Sequence, residues 1–405
     1  MTYVSDMGLL ASRRQVFKGI AGVGAVTALT TTVGGPISAV SAATLSTAAP
    51  HAASSDVDWK GKESVNIGDR PLGTGELGRL AALDPDQGAV IAALPLLKGV
   101  ILNIQRLAPG VAREPHWHHN KTELNCVIEG TGEIGIIGLD GKLTRIAVKP
   151  GTVTCVPQNL MHYMANTGSV ELVVAIGFNS TKGGSSALSN ALMAFPSDRL
   201  AQMSGLTASD FNQPAQKESS IYVPVSTLPP IEAGVMPLVD GVVSSANFGV
   251  VPGFTSNHGT AKDINSNVIG NLDGVSMSYM TLEPGALRDM HWHPRGTELV
   301  YIIDGELEWG LQAPGKAGDS SVFNSGKGDA VAIPEGWLHY AANTGRTTTK
   351  LLVLWESVLP QTIELTGSLA ALPLELTLAS AGTMLEAAKV ETLLGRPSRF
   401  VSPKP

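Results

Sequence analysis

Ala108-Pro-Gly-Val-Ala-Arg-Glu-Pro-His-Trp-His118 returns as Glu283-Pro-Gly-Ala-Leu-Arg-Asp-Met-His-Trp-His293, 175 residues later. A second phrase, His162-Tyr-Met-Ala-Asn-Thr-Gly168, returns as His339-Tyr-Ala-Ala-Asn-Thr-Gly345 at an offset of 177, and Phe178…Pro196 returns as Trp355…Pro373 at the same offset. Several phrases in one order at a nearly constant offset mean one unit written twice, and a repeat of this length is a whole domain. The two-residue difference falls between the phrases. The expected division is a first domain at 59–213, a linker or edge strand at 214–240 carrying Pro224, Pro229, Pro230 and Pro237, and a second domain at 241–405.

Around the phrases lie short apolar runs of strand length, at 124–128, 133–137, 143–148 and 152–156. Glu129-Gly130, Asp140-Gly141 and Lys149-Pro150-Gly151 separate them as turns. Regular short strands with such turns indicate a sandwich or barrel. Each unit closes in stretches with helical spacing, 187–195 with 200–206 and 365–372 with 383–394. The predicted class is all-β with short C-terminal helices. Composition agrees, since 45 glycines and 25 prolines with only 16% charged residues favour turn-rich β structure. Lys and Arg number 28 against 35 Asp and Glu, and a net charge of −7 argues against a nucleic-acid partner. Two cysteines exclude a disulfide framework. Cys126 and Cys155 fall in expected strands of the first unit without counterparts in the second, where Tyr301 and Ile333 stand near those places, so buried thiols are expected.

The chemistry lies in a four-residue pattern present in both units: His116, His118, Glu123 and His162, then His291, His293, Glu298 and His339. Residues two apart in a strand share a face, so each His-Trp-His points two imidazoles inward and turns Trp117 or Trp292 outward. The glutamate five residues on can reach the same cavity from the next strand. The third histidine, 44 or 46 residues past the second, must come from a distant strand that only a closed sheet brings near. A lone histidine in such a place is an ordinary core residue. Six of nine histidines in one repeated pattern are not, and only His51, His119 and His258 fall outside it. Three imidazoles and a carboxylate, without thiolate, suit a first-row divalent metal. A six-coordinate ion would keep two positions free for a ligand.

These motifs resemble the cupin superfamily, and their duplication resembles the bicupins of the oxalate decarboxylase family. The resemblance implies two tandem jelly-roll β-barrels, each holding Mn(II) through the four matched residues, two ions per chain. Asn159 departs from the glycine usual at its place and kept as Gly336, but a turn asparagine can adopt the left-handed conformation. Arg113 and Arg288, three residues before the first histidine of each set, match a family arginine, and a guanidinium can bind a small carboxylate bidentately. In the family a glutamate on a lid after the first barrel handles the proton. Here that stretch, Asn179-Ser180-Thr181-Lys182-Gly183-Gly184-Ser185-Ser186, holds no acid, and Lys182 reads as a solvated lysine. Glu356 and Glu364 are the acids nearest the second lid, and Val353 stands where the family often has a glutamate. The resemblance therefore implies decarboxylation of oxalate to formate and CO2. The acid-free lid keeps oxidation to CO2 and hydrogen peroxide as the alternative, and a periplasmic manganese-binding protein without turnover is the third reading. Whether copies of the chain assemble stays open.

The first 43 residues read as an address. Ser12-Arg13-Arg14-Gln15-Val16-Phe17-Lys18 precedes a weakly apolar run from Gly19 to Val33, then Pro36 and small residues to Ala43. The order is that of a secretory signal, and the paired arginines resemble a twin-arginine signal for export of folded proteins. Gly22, Gly24, Thr27 and Thr30 dilute the run too far for a membrane anchor, which needs ~20 strongly apolar residues. Residues 44–58 read as a flexible leader. The expectation is a periplasmic or secreted protein, with no lasting membrane association after cleavage.

Overall fold

In the computed structural model, residues 58–401 are described apart from 70, 74–76, 85, 87, 182–183, 212–220, 232–236, 316–317 and 382–399. The expected signal, most of the leader, Lys182 and the helix expected at 383–394 lie outside the described residues.

The apolar runs form strands, and every strand pairing is antiparallel, as short strands joined by tight turns require. Each half is a sandwich of two sheets. The first half stacks a six-stranded sheet, ordered Ser185–Ala187, Val111–His118, His162–Asn166, Gly132–Ile137 and Leu143–Val148 with Tyr222–Pro224 also on Val111–His118, against a seven-stranded one. The second half repeats this with Leu287–Trp292 as the strand that carries His291 and leads directly into His293. The protein is thus mostly β with two barrels of the jelly-roll kind. Its helices are short, Leu188–Met193 and Ser197–Ser204 after the first barrel, Leu365–Ala371 and Leu374–Ala381 after the second, and Gly88–Ala93 before the first ligand strand. Ser197–Ser204 stops at Gly205, whose φ of 75° is the left-handed cap that glycine adopts without strain.

The two halves exchange edge strands. Ser64–Asn66 pairs with Asp329–Val331 of the second barrel, and Ser245–Asn247 pairs with Thr152–Thr154 of the first. Hydrogen bonding therefore crosses the sequence boundary at residue 240. Within the expected linker, Tyr222–Pro224 adds to Val111–His118, with Pro224 at an edge where no further partner is needed.

The seven-stranded sheets face each other across a shared apolar core that includes Leu124, Val153, Val173, Leu299, Leu352 and Leu354. Fully burying each such side chain is worth ~1.5–3 kcal/mol. The two sheets approach closely at Gly177: a Cβ there would sit 2.3 Å from Leu354 Cδ1, at the matched position of the other half. Cys126 and Cys155 join this core as free, buried thiols. Among the described residues no helix is long and apolar enough to cross a membrane.

Candidate metal centres

The six-stranded sheet supplies the histidines and the seven-stranded sheet the glutamate. His162 lies directly opposite His116 in register, and His339 opposite His291, so each third histidine meets the first across one ladder step. Glu123 begins its strand between Val156 and Phe178, and Glu298 between Ile333 and Trp355, both on the facing sheet. The result is two sets, His116, His118, Glu123, His162 and His291, His293, Glu298, His339, with one ligand atom from each residue within 4.8 Å of all the others in its set. The turn ahead of the third histidine is tied to the ligand strand, because Asn159 N–H donates to His118 O at 3.1 Å and Gly336 N–H to His293 O at 2.9 Å. Asn159 has a φ of 64° and Gly336 of 78°, so asparagine adopts the left-handed turn that glycine takes in the second half.

The donor chemistry fits a divalent metal. The Nδ1 atoms of His116, His162, His291 and His339 meet the backbone carbonyls of Glu114, Leu160, Asp289 and Trp337 at 2.8, 3.0, 2.6 and 2.9 Å. A carbonyl only accepts, so the proton sits on Nδ1 and the Nε2 lone pair turns to the centre, the usual arrangement around a bound metal. In the second set, Nε2 of His293 and His339 stand 2.9 and 3.1 Å from Glu298 Oε2, yet these atoms have no hydrogen-bond partner. They converge as donors that need a cation between them. Burial keeps the His116 and His291 imidazoles well below their usual range, helped by His162 and His339 beside them. Burial would raise the Glu123 carboxyl, but His162 and His118 hold it well below the carboxylate range, and His293 and His339 do the same for Glu298. A neutral imidazole beside an ionised carboxylate is the protonation state that a metal requires.

The surroundings of the two centres differ. The first opens into a cavity of about 330 Å³, lined by Arg113 as well as the four ligands; the second has only about 20 Å³. Position by position, Ile134 on the first wall is replaced by Trp309 on the second. Phe178, edge-on to His118 at 4.8 Å, is replaced by the larger Trp355, edge-on to His293 at 4.5 Å. Arg113 donates to the Ile221 carbonyl at 3.3 Å and faces the cavity, whereas Arg288 donates to Glu364 at 2.7 Å. Ala187 occupies the place of Glu364 in the first half, opposite His116 as Glu364 is opposite His291. Glu364 is therefore the partner of Arg288 and does not line the second cavity. Glu356 accepts from Thr297 N–H at 3.2 Å and packs over Gly99, away from both centres.

The first lid is not an open loop along its whole length. Ser185–Ala187 pairs in register with His118–His116, His119 N–H donates to Gly184 O at 2.9 Å, and His119 Nε2 meets Ser186 Oγ at 2.9 Å. His119, outside the ligand pattern, thus fastens the lid. In the second half Gln361 O, matched to Gly184 O, instead meets His293 Nδ1 at 2.8 Å. Among the described residues His118 Nδ1 has no partner, and its side chain is 12% exposed against 3% for His293. Gly184 and Ser185 line the cavity and bring no acid to it. Motif reading missed Lys121 and Gln105, which also line it. Comparing the halves one position at a time would have found them, because Gly296 and Met280 stand in their places.

The cupin family model matches residues 76–210 and 251–384. The chain is 26% identical over 295 residues to oxalate decarboxylase OxdC of Bacillus subtilis (strain 168), covering 70% of this chain and 74% of the relative. It is 35% identical over 135 residues to germin-like protein subfamily 2 member 1 of Arabidopsis thaliana, covering 31% of this chain and 61% of that one. A solved structure of the Bacillus subtilis oxalate decarboxylase, studied for its Mn(II) centres, superposes with a TM-score of 0.73 at 21% identity over 84% of this chain and 89% of the other. With the family model spanning both barrels, the chain belongs to the cupin family and carries its domain twice.

Proposed function

We propose that the protein is a manganese-dependent bicupin that acts on oxalate in the cavity of its first barrel, decarboxylating it to formate and CO2. The observation that carries this reading is the contrast between two matched centres, of which only the first has room for a ligand, while the arginine lining the second is held by Glu364. The similarity to an oxalate decarboxylase supports the substrate, and the Mn(II) centres of that relative support the metal. Manganese bound by His116, His118, Glu123 and His162 would supply Lewis-acid and one-electron chemistry to a coordinated carboxylate.

The chain's own groups do the rest. Arg113 offers a planar fork to a carboxylate beside the metal ligands, fixing its orientation. Ile134, Met164, Ile176 and Phe178 form apolar walls that exclude water and strengthen the charge interactions inside. Once CO2 departs, the remaining carbon must take a proton, and although Asp84 lines the cavity, Gly184 and Ser185 of the lid offer none. That observation favours a second reading, oxidation of oxalate by O2 to CO2 and hydrogen peroxide. Export to the periplasm by a twin-arginine-type route belongs to the same proposal, supported by the sequence at 12–43.

The test is to add oxalate to the metal-loaded protein under air and to assay formate and peroxide together. Formate supports decarboxylation, and peroxide supports oxidation. Neither product would leave a metal-holding protein without turnover.

A further inference from the structure

The first cavity contains two polar groups that neither the metal ligands nor Arg113 use. Lys121, in the turn between Val111–His118 and Glu123–Glu129, is 9% exposed, with Nζ 4.6 Å from the centre of the Phe178 ring. Among the described residues no carboxylate lies within ion-pairing distance of it; Asp84, on the same cavity, and the metal ligand Glu123 act on it only through space. Gln105, on Ile101–Leu107, is 3% exposed, and among the described residues its Nε2 has no hydrogen-bond partner. Both residues line the cavity together with the metal ligands. Phe178 stands edge-on to the ligand His118 and lies beneath the Lys121 ammonium.

A buried ammonium with no ion pair among the described residues, on the same cavity as an amide with an unused N–H, is costly unless a ligand completes it. The unused groups are an ammonium and an amide N–H, so the missing partner is an acceptor, and the Lys121 charge favours an anionic one. The second barrel has no such arrangement, since Met280 stands at the place of Gln105 and Gly296 at that of Lys121. A Cβ on Gly296 would sit 2.4 Å from the Glu356 carbonyl oxygen, so no side chain fits there.

We propose that Lys121 and Gln105 form a carboxylate-binding wall that makes the first cavity selective for dianionic dicarboxylates, oxalate or its homologue one carbon longer. One carboxylate lies at the metal centre and Arg113, and the other charge is matched by Lys121 and Gln105. This deepens the proposed function and rests on the first cavity being the substrate chamber.

The experiment measures binding, so it does not depend on turnover. Oxalate and oxamate, nearly isosteric but differing by one charge, are titrated calorimetrically into the manganese-loaded protein, with malonate as the longer probe. Lys121→Met should weaken oxalate and malonate by about 10- to 100-fold, the value of a charge-assisted hydrogen bond, and oxamate by much less. Lys121→Arg should restore most of the preference, and Gln105→Leu should reduce it less than Lys121→Met. Lys121→Met should also raise the urea midpoint of the metal-free protein, because it removes a buried charge that no ion pair holds. Equal loss for oxalate and oxamate, or no loss for either, would overturn the proposal. Wild-type protein that binds oxalate with this preference but yields neither formate nor peroxide would refute the proposed function and leave the wall standing. Normal turnover with an unchanged KM in Lys121→Met would do the reverse.

Discussion

Replacing Glu364 by alanine would copy into the second barrel the residue that the first carries at the matched position, Ala187. Arg288 is 4% exposed and donates to Glu364 at 2.7 Å, while the glutamate side chain is 26% exposed. Removing one partner of a fully buried pair costs ~3–5 kcal/mol, and exposed pairs are worth ~0.2–1 kcal/mol. With one member buried and the other at the rim, the expected loss is ~1–3 kcal/mol. Urea unfolding of the metal-free protein, followed by tryptophan fluorescence, reads this directly. Oxalate turnover of the metal-loaded variant should stay within about twofold of wild type, because Trp309, Met280 and Trp355 still fill the second centre. Unchanged stability would show that the ion pair contributes nothing. A gain in turnover that disappears on replacing Arg288 would show that Glu364, and not packing, keeps the second barrel silent.

Arg113→Lys keeps the charge and loses the fork, so kcat/KM for oxalate should fall at least about tenfold while metal content stays at wild-type level; equal activity would remove Arg113 from substrate binding. Ser185 lies opposite His118 and lines the cavity, so Ser185→Glu should raise formate relative to peroxide by placing a proton-carrying group there; an unchanged product ratio would count against the acid-free lid as the cause of slow protonation. Burial pushes the Cys126 thiol up to about 12 and raises Cys155 as well. At pH 8 the Cys126 thiolate is then about one part in ten thousand, so both cysteines should resist a thiol reagent until the protein unfolds, with labelling increasing as pH rises. Rapid labelling of the folded protein at pH 8 would contradict that burial.

The metal ligands were legible because alternation in a strand is a strong rule. His-Trp-His can only place both imidazoles on one face, and a repeat in register leaves little room for coincidence. The turn at Asn159 was legible for a similar reason, since few residues adopt its left-handed backbone. The exchange of Ser64–Asn66 and Ser245–Asn247 was hidden, because three-residue strands carry no periodic signal and their partners lie far away in sequence. The difference between the centres was hidden for another reason. Ile134 and Trp309, or Ala187 and Glu364, each look like acceptable strand residues, and only the volume and ion pair they produce in three dimensions separate an open cavity from a closed one. Glu364 looked like an available acid for the same reason, and its partner Arg288 became visible only once Ile363–Glu364 was placed beside Leu287–Trp292.

The most direct test of the central claim compares Glu123→Gln with Glu298→Gln, measuring metal content and oxalate turnover on the same samples. Each change removes the single carboxylate from one centre and should lower metal affinity there by at least the about 10- to 100-fold seen when an outer partner of a ligand is lost. Wild type should hold two ions per chain and each variant one. Glu123→Gln should abolish turnover, and Glu298→Gln should retain most of it. Turnover that survives Glu123→Gln and disappears with Glu298→Gln would contradict the assignment of catalysis to the first barrel.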